Sequence, residues 1–142
     1  MRMGIKKINL TINGRPQGKA RPRFVKGRTY TPQQTKDYEE LVAWTYKNKY
    51  NVDTMGTDAP LKMNIRAYFK IPKHESRPIK EYLKDKHYPH KPDSDNIAKI
   101  IMDGLNQIAY LDDNQIVSLN VEKWYTDEEE RVEVEIEEIA YE

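Results

Sequence analysis

Leu61-Lys62-Met63-Asn64-Ile65-Arg66-Ala67-Tyr68-Phe69-Lys70-Ile71 carries an apolar side chain at every odd position without a break. A period of two is the pattern of a β-strand with one buried face. Pro72 ends it, because proline has no amide hydrogen to give to a sheet ladder. Upstream, residues 50–60 read as a turn-rich connection. Before that, Thr31-Pro32-Gln33-Gln34 reads as a helix start, with Thr31 as the cap, Pro32 in the first turn and Gln34 completing a capping box. Tyr38, Leu41, Val42, Thr45 and Tyr46 then share one helical face, which carries the helix to about Asn48. Gly14 to Arg28 has no clear period and reads as a loop or a loose hairpin. Ile8, Leu10 and Ile12 alternate with polar residues and mark a strand over 5–13.

Downstream, residues 73–91 are basic, hold all three histidines and leave room for a short helix near 79–87. Asp95 or Asn96 caps the next helix, whose apolar face is Ile97, Ile100, Ile101, Leu105 and Ile108. Val117, Leu119 and Val121 mark another strand, and Val132, Val134 and Ile136, alternating with Glu133, Glu135 and Glu137, mark the last. Strand–helix–strand followed by helix–strand–strand predicts an α+β fold in a single domain over 1–142, with two main helices packed on one sheet.

The 142 residues suit one domain with one real core. Hydrophobic residues at 37% set the chain apart from disordered sequences, and the absence of cysteine excludes disulfides and thiolate zinc sites. No apolar run is long enough to span a membrane and no signal peptide is evident, so a cytoplasmic protein is expected. The net charge of +1 hides an asymmetry. Gly14–Tyr30 holds six bases and no acid, Lys62–Lys91 nine bases against three acids, and Asp127–Glu142 nine acids against one base, Arg131. A polyanion would bind the first two regions and avoid the last.

Lys91-Pro92-Asp93-Ser94-Asp95-Asn96-Ile97-Ala98-Lys99 carries the chemistry. From Asp93 to Asp113 there are five aspartates, one lysine and no glutamate. Carboxylates at that density repel one another unless a cation offsets them. A hard divalent ion such as Mg²⁺ does so, taking carboxylate oxygens together with substrate phosphate. The pattern points to metal-assisted chemistry on phosphodiesters. Each piece also has a structural explanation. Asp95 serves as an N-cap, Asp112-Asp113-Asn114 as a turn, and Asp103 pairs with Lys99 one helical turn away. An EF-hand reading fails, because Ala98 and Gly104 stand where the loop needs glycine and glutamate. His74, His87 and His90 have no metal-like spacing. In the basic loop, Arg15, Lys19, Arg21, Arg23, Lys26 and Arg28 are interleaved with Phe24 and Tyr30. Such cations pair with phosphates and such aromatics stack on bases, although a solvated loop has the same composition.

Taken together, Pro16-Gln17-Gly18-Lys19-Ala20-Arg21-Pro22-Arg23, Lys91-Pro92-Asp93-Ser94-Asp95-Asn96 with Lys99, Asp103-Gly104-Leu105-Asn106 and Asp112-Asp113-Asn114-Gln115-Ile116 resemble the RusA family of Holliday-junction resolvases. The resemblance covers most of the chain. It implies a mixed sheet in a homodimer and a crossover junction endodeoxyribonuclease, often prophage-encoded, that nicks opposed strands of four-way or branched DNA. By that resemblance Asp93, Asp95 and Asp113 are catalytic carboxylates that hold Mg²⁺, with Mn²⁺ as a substitute. Lys99 is the catalytic lysine and Asp112 has a secondary role; from the acid-free basic loop itself, Lys19, Arg21, Arg23, Lys26 and Arg28 are expected to bind DNA. Two other readings of the same residues are a non-catalytic binder of branched or single-stranded DNA and an RNA-processing nuclease of similar metal chemistry.

Overall fold

In the computed structural model the alternating segment is β4, Leu61–Lys70, an interior strand of the sheet. The structure describes residues 6–51 and 54–141. Ile5 of the strand read over 5–13, Val52-Asp53 of the connection and Glu142 of the acidic tail lie outside the described residues. The other elements are β1 (Lys7–Asn13), β2 (Arg23–Val25), β3 (Arg28–Tyr30), α1 (Gln33–Tyr50), α2 (Arg77–Leu83), α3 (Ser94–Leu105), β5 (Ile116–Thr126) and β6 (Arg131–Glu138). One turn of 3₁₀ helix, Asp113–Gln115, leads into β5.

Four strands form one sheet in the order β1-β6-β4-β5. β6 runs antiparallel to both β1 and β4, and β5 runs parallel to β4, so the sheet is mixed. A parallel neighbour needs a crossover, and the chain supplies it through α2 and α3. The odd positions of β4 are fully buried, as are Ile8 and Ile12 of β1 and Val132 and Ile136 of β6. They meet Tyr38, Val42 and Tyr46 of α1 and Ile97, Ala98, Ile100, Ile101 and Leu105 of α3 in one continuous core. The fold is therefore α+β, with the two longer helices on the sheet. No helix among the described residues is long and apolar enough to cross a membrane.

The helix termini differ from the sequence reading. Pro32 is itself the N-cap of α1, with extended backbone at ψ 143°. That displaces Thr31 one position too far to cap, and the box with Gln34 does not form. The Pro32 carbonyl instead accepts from Thr35 and Lys36, and Gln33 Nε2 donates to Asp37 at 2.8 Å. α1 continues to Tyr50, where Asn51 in left-handed backbone closes it. Within it Leu41 faces solvent while Val42 and Tyr46 carry the packing. The cap of α3 is Asp93, two residues before the expected Asp95, because the extended backbone after Pro92 turns helical at Ser94. α3 stops at Leu105, so Ile108 packs from the following turn. The short helix α2 starts and ends earlier than the expected 79–87. In β5 the register shifts opposite Leu61/Lys62, and at this sheet edge Val117 and Leu119 stay 59% and 45% exposed. Close approach of α1 and α3 depends on Gly104, where an added Cβ would lie 3.0 Å from Val42 Cβ and 3.2 Å from the Glu39 carbonyl oxygen.

The sheet face away from the helices is laced by charge. Glu133 accepts from Arg131 at 2.9 Å and from Arg66 at 3.3 Å. Burial works against its charge, but the two guanidinium groups outweigh that and hold its carboxyl below the usual range. A depressed carboxyl stabilises the fold above the ordinary carboxylate pKa and loses that contribution as pH falls through its folded value. Glu133→Gln should therefore cost about 0.5–1 kcal/mol at pH 7. In urea titrations repeated over pH, the gap to the parent should close below about pH 4.

Candidate active site

Three stretches that are far apart in sequence meet at one cleft of about 630 Å³. The N-terminal loop gives Arg15 to Ala20 and Arg23, the start of α1 gives Pro32, Gln34 and Thr35, and the start of α3 gives Lys91, Pro92, Asp93 and Asn96. Both helices present their first turns here. Unpaired amides and the positive end of each helix dipole favour an anion at such a place.

The loop is fastened down by backbone and charge. The Lys19 N–H donates to the Asn96 carbonyl at 2.8 Å. Gly18 lies so close to α3 that a Cβ there would stand 2.9 Å from Pro92 Cβ and 3.0 Å from Asn96 Cβ. The Lys19 ammonium reaches Glu39 of α1 at 2.7 Å and Asp103 of α3 at 3.1 Å. Asp103 thus pairs with Lys19, not with Lys99 one turn earlier. Arg15 is tied to Glu130 at 2.7 Å and to the Tyr88 hydroxyl at 3.2 Å. Arg21, Arg23, Lys26 and Arg28 make no ion pair among the described residues and are exposed.

The aspartates follow α3. Asp93 is its N-cap, yet its side chain makes no capping hydrogen bond and is exposed to the cleft. Asp95 in the first turn accepts the Asn96 N–H at 3.0 Å. Lys99 is exposed one turn further on. Asp113 comes from the 3₁₀ turn, which is docked on the end of α3 by the Asp113 N–H donating to Asn106 Oδ1 at 3.0 Å. Asp112 caps that turn, accepting the Asn114 N–H at 3.0 Å, and Gln115 Oε1 returns to the Asp112 N–H at 3.2 Å. Gln115 is anchored in turn by the carbonyls of Thr57 and Ala59. Partial burial, the Asp112 carboxyl and the charge on Asp103 hold the Asp113 carboxyl above its usual range, while Lys99 pulls the other way. The turn therefore stands beside Lys99 and Asp103. Among the described residues no three His, Asp or Glu side chains are grouped as a metal ion would require.

The donors nevertheless suit a hard divalent cation. They are all carboxylate oxygens, and the crowded Asp112-Asp113 pair carries like-charge repulsion that a cation would relieve. The histidines are placed otherwise: His87 stacks on Trp124 at 3.8 Å, His90 meets Tyr88 edge-on, and His74 sits beside Glu75.

Residues 13–137 match the family model of endodeoxyribonuclease RusA. The chain belongs to the RusA endodeoxyribonuclease family. It is also 34% identical, over 94% of its length and 97% of the relative's, to the uncharacterized protein YqaN of Bacillus subtilis strain 168. Membership makes this chain a DNA-nuclease relative, and the RusA match spans both the loop and the α3 aspartates.

Several residues that hold this candidate site carry little signal in the sequence. Gln115 stands three residues after Asp112, which is capping-box spacing and was legible. Asn106 and Gly18 lay within motifs but had no assigned task. Lys123 gave no signal. Its ammonium donates to the His90 carbonyl at 2.6 Å and to the Pro92 carbonyl at 2.9 Å, pinning the turn that delivers Asp93. Tyr88, stacked on Phe69 at 3.9 Å, pins the same segment to the sheet. Lys123→Met should cost about 1.5–3 kcal/mol in urea unfolding. Amide exchange should accelerate at Tyr88 and Ile97, whose N–H groups bond Lys123 and Asp93. Unchanged exchange at both amides would leave Lys123 without this role.

Proposed function

We propose that this chain is a Mg²⁺-dependent, structure-selective endonuclease that resolves four-way DNA junctions as a homodimer. The observation that carries the reading is the cleft itself, which is lined by the Asp93 carboxylate and by Arg23, without an ion pair among the described residues, at the meeting of two helix N-termini. A phosphodiester entering there meets basic side chains and two helix N-termini, with the Asp93 carboxylate at one of them. Asp93, Asp95 and Asp113 would hold the cation, and Mn²⁺ would serve in its place. When bound, the ion supplies a water of lowered pKa and neutralises phosphate charge.

The protein's own groups do the rest. Arg21, Arg23, Lys26 and Arg28 bind the backbone by charge, and Lys19 keeps their loop in place. Lys99 donates to a phosphoryl oxygen as negative charge builds on it. Hydroxide attacks phosphorus, the bond to the 3′ oxygen breaks, and that oxygen takes a proton from solvent. The products are 5′-phosphate and 3′-hydroxyl ends. A two-fold dimer supplies two such sites for two equivalent strands.

A labelled four-way junction, its matched duplex and a structured RNA, each with Mg²⁺ and with EDTA, test the reading together. Paired nicks in the junction alone, abolished by EDTA, are expected. Cleavage of the RNA favours an RNA-processing nuclease, and junction binding without cleavage favours a non-catalytic binder. Asp93→Asn and Asp113→Asn should abolish nicking while junction affinity holds or rises. Near-normal cutting by either would remove that residue from the metal set. Lys99→Ala should slow single-turnover cleavage by about 10²–10³ with normal affinity and melting temperature. A loss explained by unfolding would return Lys99 to a structural role. Light scattering should give about twice the 16.8 kDa of one chain; a monomer both free and on DNA would contradict the dimer.

A further inference from the structure

Among the described residues the β2–β3 hairpin pairs with no other strand. It forms its own two-stranded sheet, and every residue from Arg21 to Tyr30 is exposed. An isolated hairpin is marginal in water. This one is set by its turn, where Lys26 and Gly27 both adopt positive φ, 51° and 77°. That is the turn geometry whose twist matches paired strands. Its base is anchored through Gly18 and Lys19 on one side and Pro32, the cap of α1, on the other. The arm is therefore shaped before it meets a partner.

Its surface is unusual for a solvated arm. Phe24 is 71% exposed, Val25 48% and Tyr30 44%. Arg23 pairs with Tyr30 and Phe24 with Thr29, so the two aromatics lie on opposite faces. Arg21, Arg23, Lys26 and Arg28 surround them with no acid among them. Aromatic faces framed by cations match one chemistry, unpaired nucleobases on a phosphate backbone. Arg23 also lines the cleft that holds Asp93, so a base on the arm lies beside the cleavage centre.

We propose that the hairpin is the branch sensor of this nuclease: Phe24 and Tyr30 stack on DNA bases left unpaired at a junction, while the flanking cations hold the adjoining backbone. The proposal rests on the DNA-nuclease reading and adds the source of structure selectivity. In continuous duplex the bases are stacked on one another and unavailable, so only the charge contribution operates there. A branch point offers free base faces, and the preformed arm takes them at little ordering cost.

The test is a binding titration in EDTA with a four-way junction and a matched duplex. It uses the parent protein, Phe24→Ala, Tyr30→Ala and the Arg21→Ala/Arg23→Ala double variant. Phe24→Ala and Tyr30→Ala should each lose roughly 5- to 150-fold in junction affinity, the span of one lost base stack. Their duplex affinity, salt slope and melting temperature should match the parent. The double variant should lose affinity for both DNAs and show a shallower salt slope, by about one unit per lost phosphate contact. Phe24→Trp adds a direct signal, with its fluorescence quenched by junction and unaffected by duplex. Three outcomes overturn the sensor: equal losses on junction and duplex, parent-like affinity in both aromatic variants, or loss of the dimer on Phe24→Ala, which would make the arm a protein contact. A parent protein that prefers the junction while the aromatic variants behave like it sinks the sensor and leaves the nuclease reading standing. A parent protein that binds no DNA sinks both.

Discussion

The placement of one ammonium group governs the whole site. Lys19 is held between Glu39 and Asp103, with its side chain only 17% exposed. Burial tends to lower its pKa, but hydrogen bonds and charge from the two carboxylates outweigh that and raise it, so it stays charged throughout the physiological range. The three groups come from the N-terminal loop, α1 and α3. Removing the lysine would leave two carboxylates facing each other in a half-buried setting, which is the costly way to break an ion pair. One contact thus joins both helices and fixes the loop that lines the cleft together with Asp93. A lysine that counts toward a basic loop in composition is here spent on architecture, and the cations left for a polyanion are those beyond it.

The strands were largely legible because their signal is local. β4, β1 and β6 each repeat an apolar residue at every second position, and the core takes those side chains. The mixed order β1-β6-β4-β5 was not legible from period alone, since alternation does not say which strand pairs with which. Helix interiors were legible for the same reason as strands, whereas the caps were not. Pro32 and Asp93 show why: both sit in extended backbone set by a proline at or before the cap, and that conformation outranks the side-chain preference of Thr31 or Asp95. Val117 and Leu119 show the limit at a sheet edge, where a register shift in the strand pairing leaves apolar residues exposed.

Of the site, the residue types and their order could be read, and their distances could not. The sequence places five aspartates within a short span, and the fold spreads them along a helix and the turn docked on its end. What holds them there is mostly carbonyl chemistry from remote strands and loops. Lys123 grips two carbonyls about thirty residues away, and Gln115 grips two more almost sixty residues away. Interactions of that kind leave no periodic trace.

The parallel crossover has one more consequence. With Asp93 at the start of α3 and Asp113 docked on its end, α3 works as a ruler of fixed length. An α-helix advances about 1.5 Å and turns about 100° per residue. Adding or removing one residue within Ser94–Leu105 would swing Lys99 away from Asp113 or lift Gly104 off α1. The segment 73–91 has no such duty along most of its length. Length change among related chains should therefore collect before Tyr88, while the count from Asp93 to Asp113 stays fixed.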